Sequence, residues 1–177
     1  MATSSWTDWP HEFTLSGATD FAQDFPNLQP NFCQGNISPA TDEYNCFAWA
    51  ASITSDRWEP DPLGQFFWPQ TVMRSYELDS YIAAFRTVGF EVCSNGSLEN
   101  GIEKIAIYVD GGQPQHAARQ LENGNWTTKF GDFEDIEHTD LACLHGPVYG
   151  SVHLYMWRPR GLSGSRKGAP NIGTSLR

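Results

Sequence analysis

His116-Ala117-Ala118-Arg119-Gln120-Leu121-Glu122-Asn123-Gly124-Asn125-Trp126-Thr127-Thr128-Lys129-Phe130 sets two short runs around Asn-Gly, the pair best suited to the positive-φ positions of a two-residue hairpin turn. If the chain turns on Asn123-Gly124, Glu122 pairs with Asn125, Gln120 with Thr127, Ala118 with Lys129 and His116 with Gly131. Gln120, Thr127 and Lys129 then share the face of His116, and Asp132 lies just beyond its partner.

Further runs flank this hairpin. Phe90–Cys93, Lys104–Asp110 and Val148–Trp157 read as strands, so the C-terminal half predicts an antiparallel sheet. Before it, Cys46, Phe47, Ala50, Ala51 and Ile53 recur at helical spacing and predict a helix over 44–55. A second helix is expected over about 70–88, with Gly89 as a left-handed cap. Between them lies a loop rich in proline and aromatic residues, 56–69, with Trp58, Phe66, Phe67 and Trp68. Helices first and strands afterwards predict an α+β fold, N-terminal helices packed on an antiparallel sheet. The expected division is an irregular N-terminal arm over 1–43, one α+β domain over 44–158 and a flexible tail over 159–177.

A chain of 177 residues, 40% hydrophobic and 14% aromatic, suffices for one complete core. Its formal charge of -10 opposes a phosphate backbone, which calls for a positive stripe, so no nucleic-acid partner is expected. The only basic cluster is Arg158–Lys167, in the tail. No apolar run approaches the roughly 18 residues that span a bilayer, and no basic segment followed by an apolar one opens the chain, so the expectation is a cytoplasmic protein without a membrane partner. Cys33, Cys46, Cys93 and Cys143 stand at wide spacing and read as free thiols, with a disulfide among Cys33, Cys93 and Cys143 as the alternative. The three Asn-x-Ser/Thr sequons, at Asn36, Asn95 and Asn125, decide nothing.

Cys46 stands out for its chemistry. With Asn45 as N-cap it occupies the first helical turn, where unpaired amides and the helix dipole favour a thiolate. With Ser38 as cap and Pro39 following, it falls in the third turn and the advantage disappears. The alternative is a buried core cysteine. His116, opening a strand next to the Gly111-Gly112-Gln113-Pro114 turn, sits where a general base is often found. An orienting group for its imidazole is expected among Asp132, Glu137 and Gln120.

The run Tyr44-Asn45-Cys46-Phe47-Ala48-Trp49-Ala50, with His116-Ala117-Ala118-Arg119-Gln120-Leu121, Trp126-Thr127-Thr128-Lys129-Phe130-Gly131 and Asp135-Ile136-Glu137-His138, resembles an uncharacterised bacterial family. Its order of cysteine-bearing helix and strand-borne histidine resembles in layout the papain-like and NlpC/P60-like cysteine hydrolases. That resemblance implies a papain-like arrangement and a thiol hydrolase or acyltransferase. Cys46 would be the nucleophile and His116 the base, acting on an amide of a peptide or protein substrate. No glutamine precedes Cys46 at the position papain-like enzymes use for the oxyanion. Asn45 and the backbone N–H of Cys46 are the substitute donors, and Gln120, Trp49 and Lys129 the other candidate substrate contacts.

Two other chemistries compete with this one. His116, His138, His145, His153 and Cys143 are numerous enough for a metal but stand at no recognised ligand spacing, so neither metal nor cofactor is assigned. The rings of Trp58, Phe66, Phe67 and Trp68 suit either a protein- or carbohydrate-binding surface or closure of the core. Glu134, Asp135, Glu137 and Asp140 read as a solvated helix face.

Overall fold

A computed structural model describes residues 21–29 and 32–161. Its centre is a seven-stranded sheet in which every neighbouring pair is antiparallel. The strands are β1 (Cys33–Ser38), β2 (Glu91–Cys93), β3 (Ile102–Asp110), β4 (Gln113–Gln120), β5 (Trp126–Lys129), β6 (Asp135–His138) and β7 (Ser151–Pro159), in the order β1-β6-β5-β4-β3-β7-β2. The described helices are short: α1 (Phe21–Asp24), α2 (Cys46–Ala50) and α3 (Leu78–Arg86), with a 3-10 turn at Leu141–Leu144.

The expected fold of N-terminal helices packed on a sheet is therefore corrected to a β-rich one, and the papain-like arrangement goes with it. Both predicted helices are cut short by local chemistry. α2 ends when Ser52 takes a left-handed backbone, φ 64, a conformation that stops helical propagation. Residues 70–77 stay irregular, tied by side chains to the loop before them. Arg74 ties the segment to the carbonyls of Glu59, Asp61 and Phe66, and the indole of Trp68 donates to Met73 O. The end of the second helix follows expectation. Gly89 has φ 92 and the Phe90 N–H reaches Phe85 O at 3.2 Å, a Schellman-type stop.

Two strands were not expected. β1 lies inside the supposed irregular arm and pairs with β6. β6 carries the acidic segment that read as a helix face, yet Asp135 and His138 are fully buried. The rest of the arm, 1–20 and 30–31, and the tail beyond 161 lie outside the described residues.

The hairpin is displaced by one position. Leu121 N–H bonds Asn125 O at 2.8 Å around a three-residue loop, Glu122–Gly124, in which Gly124 has φ 90. Arg119 consequently faces Thr127, and Gln120 faces Trp126. A one-residue slip inverts every side chain, so His116 shares its face with Gln120, Trp126 and Thr128, while Thr127 and Lys129 point to the opposite side.

Each face of the sheet has its own core. α2, α3 and the aromatic loop cover Ile105, Ile107, Ala117 and Met156. Phe25, Leu28, the 3-10 turn and Tyr149 cover Ala106, Tyr108, Ala118 and Ile136. Ala48 and Ala50 of α2 are wholly buried, which lets the helix lie close to β4 and β5. Arg158 fastens this layer: its guanidinium meets Glu103 at 2.6 Å, bonds Ala51 O at 3.2 Å and Val88 O at 3.1 Å, and stacks on Phe90. Its donors thereby satisfy carbonyls at the ends of both helices, which have no partner within their own turns.

Candidate active site

Asn45 is the N-cap of α2, and its Oδ1 accepts the Ala48 N–H at 3.1 Å. Cys46 is therefore in the first turn, as the first of the two capping schemes requires. The same Oδ1 accepts the Trp58 N–H, and Nδ2 donates to Trp58 O at 2.7 Å. With cap and loop both served, Asn45 is a scaffold group, and its role as an oxyanion donor falls away.

β5 pairs with β4 only at Arg119 and Gln120, so the backbone ladder does not extend along the earlier part of β4. A cleft of about 280 Å³ opens there, with Cys46, Phe47, Arg57, Glu59 and Tyr81 on one wall and Gln113, Gln115, His116 and Tyr149 on the other. Cys46 comes from the helix-covered face and His116 from the opposite face. Both border the cleft, and no hydrogen bond joins them.

Burial pushes the Cys46 thiol up to about 11, against the amides of Ala117, Phe47 and Cys46 itself and the charge of Arg57, which all pull it down. The resting group is thus a thiol, since desolvation outweighs the donors around it. Burial, with the neighbouring His138, holds His116 well below the usual histidine value, so the imidazole rests neutral.

The His116 ring is firmly held. It stacks on Tyr149 with centroids 3.7 Å apart and planes 9° apart, and lies edge-on to Tyr108. Its Nε2 bonds the hydroxyl of Thr128. That hydroxyl also lies 3.0 Å from Ala117 O, and when it donates there it accepts from the imidazole. This arrangement puts the proton on Nε2 and the lone pair on Nδ1, which has no hydrogen-bond partner among the described residues.

The orienting groups expected from the sequence are placed elsewhere. Asp132 is exposed and pairs with Arg57 at 3.2 Å. Glu137 accepts from Asn123 and Asn125 and braces the hairpin loop. Gln120 donates to Gly96 O at 2.8 Å. Trp49 donates to Thr127 at 3.1 Å and Lys129 to Phe133 O, both behind α2. The sequence missed Thr128 because the assumed register turned it away from His116. It missed Tyr149 because nothing local ties Pro147-Val148-Tyr149-Gly150 to the distant strand β4.

The competing readings also find their places. Trp58 and Trp68 are 2% and 3% exposed and close the core, while Phe66 remains at the surface. Among the described residues no three histidine, cysteine or acidic side chains gather as a metal site. All four cysteines are free, and no described helix is long and apolar enough to cross a membrane.

A family model described as a domain of unknown function, DUF7689, matches residues 36–157, which takes in every strand lining the cleft. No curated protein and no solved structure matches the chain.

Proposed function

The chain belongs to the DUF7689 family, whose description assigns no activity, and from the cleft we propose a thiol hydrolase or acyltransferase acting on an amide or ester. The observation that carries the reading is that Cys46 and His116 line one cleft, the imidazole held by its Nε2 against Thr128. When a carbonyl substrate excludes water there, Nδ1 takes the thiol proton and Sγ bonds the carbonyl carbon, its π pair moving to oxygen. The tetrahedral species collapses to a thioester as His116 returns the proton to the departing amine or alcohol. Water or an acceptor amine then releases the acyl group. The first-turn amide of Cys46 and the amide of Ala117, both close to Sγ, are the donors available to the oxyanion. Both partners rest neutral, so proton transfer is coupled to substrate binding, and the thiol–imidazole hydrogen bond forms only in the complex.

The test is acylation by p-nitrophenyl acetate, with the label located by mass spectrometry. The acetyl group is expected on Cys46, absent from Cys46→Ala, and formed on the order of 10²-fold or more slowly in His116→Gln. Acetylation at another residue, or at an equal rate without the imidazole, refutes the reading.

A further inference from the structure

Resting on the proposed thiol chemistry, we infer that Thr128 is the positioning residue of the site, its hydroxyl fixing His116 in the tautomer that leaves Nδ1 free to take a proton. Thr128 is wholly buried on β5, its hydroxyl set between Ala117 O and the imidazole. Ala117 O takes the hydroxyl proton and the oxygen faces Nε2. A carboxylate in this place would favour the imidazolium. A hydroxyl whose proton is already committed fixes the tautomer without adding charge.

Tyr149 fixes the plane of the ring. It precedes Gly150, whose N–H and C=O both bond Gly146, at 2.8 and 3.0 Å. A Cβ at Gly150 would lie 2.1 Å from Val109 O, and its φ is +70°, so only glycine lets the loop approach β3 this closely. The titratable groups facing the imidazole are Tyr108 from β3, Tyr149 from this loop and His138 from β6. Among its described contacts none is a carboxylate, so Thr128 is the group that selects the tautomer.

Nitrogen-15 NMR of the His116 imidazole tests this on the whole chain. The wild type is expected to show a single Nε2–H tautomer at pH 7. Thr128→Val should give a mixture of tautomers and slow acylation by p-nitrophenyl acetate about tenfold or more, with the concentration dependence unchanged. Thr128→Ser, which keeps the hydroxyl, should restore both, and its recovery separates positioning from a loss of folding. An Nδ1–H tautomer in the wild type, an unchanged tautomer in Thr128→Val, or failure of Thr128→Ser to restore it would overturn the inference. If the tautomer responds as expected but Cys46 does not acylate, the hydrolase reading fails while the positioning stands.

Discussion

The two faces of the sheet bury polar groups in opposite ways. Beneath α2 and α3 lie charges: Glu103 between Arg158 and Arg119, and Asp135, which accepts from Tyr44 at 2.6 Å and from Ser38. On the other face lie neutral rings, His116 and His138 among Tyr108, Tyr149 and Phe130. The difference follows from what covers each face. Helix ends supply free carbonyls and the strands supply opposite charges, so Glu103 and Arg158 are paired, while Asp135 is held by hydroxyls. In the aromatic layer burial outweighs the pull of the Asp140 and Glu137 carboxylates on His138, and the imidazoles stay unprotonated.

Breaking the charged face should have the largest effect. Arg158→Ala leaves Glu103 with the longer contacts to Arg119, 3.5 Å, and Ser52, 3.4 Å, and removes the side-chain donor of the Ala51 and Val88 carbonyls. A loss of about 3–5 kcal/mol is expected, read from the urea midpoint. A variant within about 1 kcal/mol of wild type would mean that the network is not what secures the helices.

The neutral face should respond to acid instead. Burial lowers His138 from 6.5 to about 4, and its Nε2 is buried with no partner in the structure. As pH falls the unfolded chain binds this proton first, so the contribution is complete above pH 6.5 and lost progressively toward pH 4. It amounts to roughly 3 kcal/mol for a shift of this size. Comparing wild type with His138→Gln at pH 7 and pH 4.5 isolates this group from the carboxylates. The same pH slope in both proteins would show that His138 titrates normally.

The smallest effect sharpens the comparison most. Thr127 and Thr128 are adjacent and both wholly buried, yet they face opposite sides of the sheet. Thr127→Val removes the acceptor of the Trp49 indole, at about 1 kcal/mol, and should leave the His116 NMR signals in place. A tautomer change in Thr127→Val would mean that the two faces are mechanically coupled.

Much of the fold was legible locally. The helical stop at Gly89, the turn at Asn123-Gly124 and the runs that became β2, β3, β4, β5 and β7 depend on residues within a few positions of one another. β1 and β6 were not legible, because Cys33-Gln34-Gly35-Asn36 has no alternation and Asp135-Ile136-Glu137-His138 looks solvated until Tyr44 and Ser38 are brought to Asp135 from 91 and 97 residues away. At the site, Cys46 and its cap were readable, since capping is a contact between Asn45 and Ala48. The surroundings of His116 were not, because they turn on a single residue of strand register.

The sequence by itself determined the strand-forming runs, the glycine-dependent turns, and a cysteine opening a capped helix, for these follow from backbone preference and short-range hydrogen bonds. Only the tertiary structure decided that the chain is β-rich and which face each side chain occupies. It also decided that Cys46 rests as a thiol beside a neutral imidazole held by Thr128. Register and burial are set by partners far apart in the chain, and burial governs whether a group carries charge.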